Sequence, residues 1–157
     1  MAKAFGAEVT GVCSTSKVEL VRSLGADHVI DYTRQDFAER GRCYDLMLDI
    51  PGTRPLSDCR RALTTRGTYV LIGAPSGRWV GPLKRGVGVM LLSPFVRQRL
   101  RTFIATDTQA DLEFLKELIE SGKVTPVIDR TYALSEVPDA IRYHEEGHTR
   151  GKIVITV

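Results

Sequence analysis

The feature that most restricts what this chain can fold into is its alternation of short β-rich runs with helical apolar stripes. Residues 8–13 alternate and are rich in β-formers, the pattern of a strand. Ser16 to Glu19 has capping-box spacing, with Ser16 accepting from an amide of the first turn and Glu19 reaching back. Val18, Leu20, Val21 and Leu24 then make a helical stripe that Gly25 stops. His28–Asp31 reads as a second strand and Tyr44–Asp49 as a third, bounded by Pro51 and Gly52. Pro55 suits a first helical turn, Leu56, Cys59, Ala62 and Leu63 carry the 3.6-residue spacing, and Gly67 ends that helix. Residues 68–73 are nearly all apolar, as in a strand covered on both faces. This alternation selects parallel βαβ units, and hence a doubly wound α/β sheet.

Beyond residue 73 the pattern is less regular. Residues 74–99 hold several glycines, Trp79 and an apolar stretch at 87–92, which reads as a loop followed by a short helix. A fifth strand spans 100–105, and Leu112, Leu115, Leu118 and Ile119 mark a helix ending at Gly122. Residues 127–134 are extended, Ser135 caps a last helix, and 152–157 close the chain as a strand. With 157 residues, 43% hydrophobic and 26% charged, one soluble globular domain is expected. No apolar run approaches the roughly 20 residues of a membrane span, and residues 1–6 lack the apolar stretch of a signal peptide. A net charge of +3 is too mild to point to nucleic acid. Cys13, Cys43 and Cys59 are odd in number and far apart. They suit a reducing, cytoplasmic setting better than a disulfide scaffold, and they offer no close pair for zinc.

Dinucleotide-binding α/β domains usually open strand, glycine-rich turn, helix. The turn, G-x-G-x-x-G, brings backbone amides up to a pyrophosphate. No such turn occurs here. The opening Met-Ala-Lys-Ala-Phe-Gly-Ala reads instead as the last turn of a helix with Gly6 beyond its end, as though the first element were cut through. Six stretches then follow in order: A-K-A-F-G-A-E-V-T-G-V-C-S, L-G-A-D-H-V-I-D-Y, Y-D-L-M-L-D, G-T-Y-V-L-I-G, S-G-K-V-T-P-V-I-D-R-T-Y-A-L-S-E-V-P-D-A and G-K-I-V-I-T-V. Together they resemble the C-terminal, cofactor-binding half of the medium-chain dehydrogenase/reductase superfamily. The nearest branch is quinone-oxidoreductase-like and carries the family name zinc-binding dehydrogenase. The resemblance covers residues 2–157 and implies a Rossmann-like doubly wound parallel sheet lacking its first strand and glycine-rich turn. It also implies that residues 1–125 are an incomplete dinucleotide-binding domain. Residues 126–157 would then be a strand–helix–strand unit that in the family packs on an N-terminal catalytic domain. The family's zinc ligands belong to that other domain, so no metal ligand is assigned.

NAD-specific sites place an acid at the end of the second Rossmann strand, where it accepts from the ribose 2′-hydroxyl. Here that position reads Cys13-Ser14-Thr15-Ser16-Lys17, with hydroxyls and a cation but no acid. Such a group suits the 2′-phosphate of NADP(H); the plainer alternative is a capped helix with a solvated lysine. The resemblance implies the phosphate role for Ser14 and Lys17, with Tyr32 nearby. It also puts the backbone of Gly73 and Ala74 near the nicotinamide ribose, and Phe103 and Ile104 near the carboxamide. Ordinary turn and strand packing is the alternative for each.

No nucleophilic or acid–base constellation emerges. His28 reads as structural, His144 and His148 as helix-end residues, and Cys13 as a small buried hydrophobe. Six cations between Arg78 and Arg101 read as a solvated rim rather than a nucleic-acid surface. The expectation is therefore the cofactor-binding part of an NADPH-dependent oxidoreductase that transfers hydride to a quinone, enone or carbonyl compound. In that reading the catalytic residues lie elsewhere and the chain alone is inactive. The alternative is a non-catalytic partner domain or a functionless fragment of such an enzyme. Expected partners are a small-molecule substrate and a second copy joined through sheet edges, with neither nucleic acid nor membrane.

Overall fold

The computed structural model describes residues 1–39, 44–50, 52–72, 88–89, 92–93, 96–103, 106, 108–147 and 149–157. The seven described strands are β1 (Thr10–Cys13), β2 (His28–Asp31), β3 (Tyr44–Asp49), β4 (Leu63–Leu71), β5 (Arg99–Thr102), β6 (Ile128–Ala133) and β7 (Lys152–Thr156). The helices α1 (Val18–Ser23), α2 (Leu56–Ala62), α3 (Gln109–Glu120) and α4 (Val137–Glu145) alternate with them. The α/β class expected from the sequence is thus the class observed. Among the described residues the strands form sheets ordered β1-β2, β3-β4-β5 and β6-β7, and the last two sheets are parallel throughout. The chain divides into two compact units, Met1–Val29 with Asp107–Val157, and Ile30–Thr106.

In the first unit, Lys3 ties the opening turn to the chain ahead of β2. Its ammonium donates to both oxygens of Asp27 at 2.8 and 2.9 Å, and Asp27 also accepts from the Val9 amide at 2.7 Å. Gly11 packs so closely under Val21 that a Cβ there would collide with it, which sets how near α1 lies to β1. The Thr108 side chain caps α3 by accepting from the Asp111 amide at 3.2 Å. Helix α4 connects the parallel pair β6 and β7, and Asp129 stitches that unit by accepting from Tyr143 Oη at 3.0 Å and the Arg150 amide at 2.9 Å.

In the second unit, the core gathers Phe37, Cys59, Ala62, Leu63, Tyr69, Leu71, Val89 and Leu100. Alternation along β4 turns Tyr69 and Leu71 to this core, opposite Leu100 and Thr102 of β5. Leu46 and Leu48 of β3 point the other way and are 56% and 54% exposed.

Three local expectations are corrected. Ser16 does not cap a helix: residues Thr15–Lys17 form a single 3₁₀ turn without a side-chain cap, and Glu19 pairs with Arg22 at 2.6 Å instead. Gly67 does not end α2, which stops at Ala62; the chain turns straight into β4, and Gly67 lies inside that strand. Pairing with β3 outweighs the local stop signal, as tertiary context commonly does. Ser135 likewise sits within a 3₁₀ turn, where the Glu136 carboxylate accepts from the Ala133 amide at 2.8 Å.

Candidate functional site

Parallel strands of an α/β sheet present their carboxyl ends to ligands, so the candidate residues are followed there. At the end of β1, Ser14 is extended and its carbonyl accepts from the Lys17 amide at 2.9 Å, closing the 3₁₀ turn that leads into α1. The Ser14 and Ser16 hydroxyl oxygens are 3.4 Å apart. The structure therefore brings Ser14 and Lys17 together in one turn, with Ser16 beside them. Lys17 has a partner that the sequence did not signal. Its ammonium donates to the Thr149 carbonyl at 3.0 Å, across 132 positions of chain. An ammonium has three donors, so this bond steers Lys17 and leaves two hydrogens for a ligand.

In the second unit, Tyr32 follows β2 and is 54% exposed. It heads a turn in which Asp31 accepts from both the amide and the hydroxyl of Thr33, at 3.0 and 2.7 Å. The ends of β3, β4 and β5 are level: the Ile72 amide donates to Asp49 O at 3.0 Å and the Phe103 amide to Leu71 O at 2.9 Å. Phe103 itself is 55% exposed at this end. Gly73, Ala74 and Ile104 lie outside the described residues, as do Pro51, Cys43 and His148.

Asp49 closes β3. Its carboxylate accepts from the Tyr69 hydroxyl at 2.7 Å and from the Gly52 amide at 2.9 Å, so it organises the turn that leaves β3. An Asp followed three positions later by Gly is the signal that finds such a turn in a sequence. Asp45, on the same strand, accepts from the Thr64 hydroxyl at 3.1 Å. His28 meets Glu8 at 2.8 Å, a structural contact. Among the described residues no three His, Cys, Asp or Glu side chains cluster as metal ligands would, so the residues described do not make a zinc site.

The carboxylates with clear electrostatic perturbation serve the fold. The Lys3 ammonium and the Val9 amide hold Asp27 below the usual carboxylate range. The Arg150 amide, then the Tyr143 hydroxyl, do the same for Asp129, and Asp129 in turn pushes Tyr143 up.

A family model described as zinc-binding dehydrogenase matches residues 24–155. The mitochondrial NAD(P)H oxidoreductase RTN4IP1 of Mus musculus is 38% identical over an alignment covering 99% of this chain and 43% of that protein. A chloroplastic NADPH-dependent alkenal/one oxidoreductase of Arabidopsis thaliana is 34% identical, covering 96% of this chain and 34% of that one. Among solved structures, the quinone oxidoreductase from Coxiella burnetii superposes with a TM-score of 0.81 over 99% of this chain and 47% of its own. At 24% identity, that likeness is one of fold. The chain spans less than half the length of each of these relatives.

Proposed function

Because this chain belongs to the zinc-binding dehydrogenase family of the medium-chain dehydrogenase/reductase superfamily, we propose that it forms the nicotinamide-cofactor-binding part of an oxidoreductase selective for NADPH. The substrate of the whole protein would be a quinone, enone or carbonyl compound. The observation that carries the cofactor reading is the turn at the end of β1. There Ser14 and Lys17 are joined by a 2.9 Å backbone bond with no carboxylate in the turn to accept from a ribose hydroxyl. A hydroxyl and an ammonium donate to phosphate oxygens, whereas a 2′-hydroxyl asks for an acceptor. The Thr149 carbonyl supports the reading further, because it holds the Lys17 side chain in place before a ligand arrives.

When bound, the cofactor supplies the hydride, and the protein's part is to bind and orient it. Ser14 and Lys17 would grip the adenosine end, and Tyr32 is assigned to cofactor binding as well. Gly73, Ala74, Phe103 and Ile104 would line the nicotinamide end. Residues 1–125 would be the cofactor domain, and 126–157 the unit that docks on a catalytic domain. The same reading keeps this protein cytoplasmic, with no nucleic-acid or membrane partner. A second copy would join through β1 or β3, which end their sheets among the described residues.

The test uses the chain with adenosine 2′-monophosphate and adenosine 5′-monophosphate, followed by amide NMR shifts. The 2′-phosphate should bind more tightly and shift Ser14 and Lys17, and Lys17→Ala should cost it about ten- to hundredfold. NADPH itself should bind this chain weakly, since no G-x-G-x-x-G occurs in it to hold the pyrophosphate. An equal loss of both monophosphates in Lys17→Ala would refute the 2′-phosphate assignment.

A further inference from the structure

An open recess lies toward the opposite ends of β4 and β5. Between Tyr44↔Leu63 and Leu46↔Thr68 the register shifts, so β4 takes five residue steps against two on β3. The surplus residues bulge from the ladder, and a bulge re-aims side chains. Gly67 shows how tight the bulge is, since a Cβ there would stand 2.9 Å from the Tyr44 carbonyl oxygen and 3.0 Å from Thr64 Oγ1. Thr65 and Arg66, both in the bulge, line an open recess of about 440 Å³ together with Arg97 and Arg99 at the start of β5. That volume falls within the range of small-ligand sites, roughly 300–1,000 Å³.

The recess is held from beneath. Gln98 lies between Arg97 and Arg99, just ahead of β5, and its amide donates to the carbonyls of Arg60 at 2.9 Å and Thr64 at 3.2 Å. Its oxygen accepts from Arg60 Nε at 3.0 Å. This half-buried latch turns Gln98 inward and leaves its neighbours Arg97 and Arg99 facing out. Among the described residues no carboxylate pairs with Arg66, Arg97 or Arg99. Asp58 is taken by Arg61 at 2.9 Å, and Asp45 accepts from Thr64. Among the described residues, three arginines without a carboxylate partner and one threonine thus line a single recess.

We propose that this recess binds a small molecule carrying a phosphate or pyrophosphate group. Arginine forks match phosphate oxygens two at a time, and several cations in one place favour a group with more than one negative charge. The site is separate from the carboxyl-end positions Ile72 and Phe103, so it does not depend on the cofactor reading.

Inorganic pyrophosphate is the probe, titrated into the whole chain at low salt with amide and guanidinium NMR shifts as the readout. Shifts should concentrate at Thr65, Arg66, Arg97 and Arg99 and persist in Lys17→Ala. The pair Arg97→Gln with Arg99→Gln should weaken binding about tenfold, and Arg97→Lys with Arg99→Lys should recover part of that loss. Shifts spread evenly over the surface would overturn the proposal. So would a folded glutamine pair binding within about twofold of the parent, or citrate producing the same response at equal ionic strength. Binding of a single-stranded oligonucleotide without binding of pyrophosphate would overturn it too. If the glutamine pair melts early, the lysine pair decides, and parental affinity there would sink the proposal.

Discussion

Replacing Tyr69 by Phe removes one oxygen atom and nothing else from a side chain that is fully buried in the second unit. Tyr69 is 0% exposed, and its hydroxyl donates to the Asp49 carboxylate at 2.7 Å. A hydrogen bond to a charged group contributes about 1.5–3 kcal/mol, and the ring's apolar contacts survive the change. Against a typical total of about 5–15 kcal/mol this is a large fraction. For a chain near this size, about 2–4 °C of melting temperature goes with each kcal/mol, so a drop of roughly 3–12 °C is expected. Urea unfolding should move the midpoint with an unchanged slope, because the surface exposed is the same. The structure also says where the loss is felt. Asp49 holds the Gly52 amide at 2.9 Å, so hydrogen exchange at Gly52 should accelerate in Tyr69→Phe. Asp49→Ala and the double variant complete a cycle, in which the second substitution should cost less by about 1.5–3 kcal/mol once the first is made. A midpoint shift worth less than about 0.5 kcal/mol, or additive losses around the cycle, would refute the claim that Tyr69 and Asp49 act as a pair.

Two further changes test other parts of the fold. Gly67→Ala forces a Cβ to within 2.9 Å of the Tyr44 carbonyl oxygen, and overpacking of this kind costs about 1–3 kcal/mol; an unchanged urea midpoint would mean the bulge relaxes freely. The carboxyl of Asp27 is held below the usual carboxylate range, first by Lys3 and then by the Val9 amide. A depressed carboxyl stabilises fully above its unfolded pKa, and the contribution is lost as pH falls through the folded value. Asp27→Asn should therefore flatten the acid side of the stability profile below about pH 5, and parallel profiles for parent and variant would count against the clamp.

How much of this protein can be read from its residues follows from the range of the forces involved. Strands β2 and β3 match the residue runs read from the sequence, because a short alternating run between turn signals reports its own backbone. The α/β class follows in the same way, from many such runs in alternation. The signals that misled are equally local. Gly67 resembles a helix stop, and Ser16 an N-cap, only while the rest of the chain is ignored. Once Leu46, Met47 and Leu48 pair with Thr68, Tyr69 and Val70, the ladder extends back through Gly67 and the helix ends five residues early. At the candidate site, residue types were legible and their arrangement was not. The absence of an acid after β1 is written in residues 13–17, yet the bond from Lys17 to Thr149 spans 132 positions and leaves no periodicity to detect. The Gln98 latch and the arginine recess are of the same kind. Each depends on two strands meeting in a particular register, and register is decided by packing and hydrogen bonds between distant segments rather than by either segment alone.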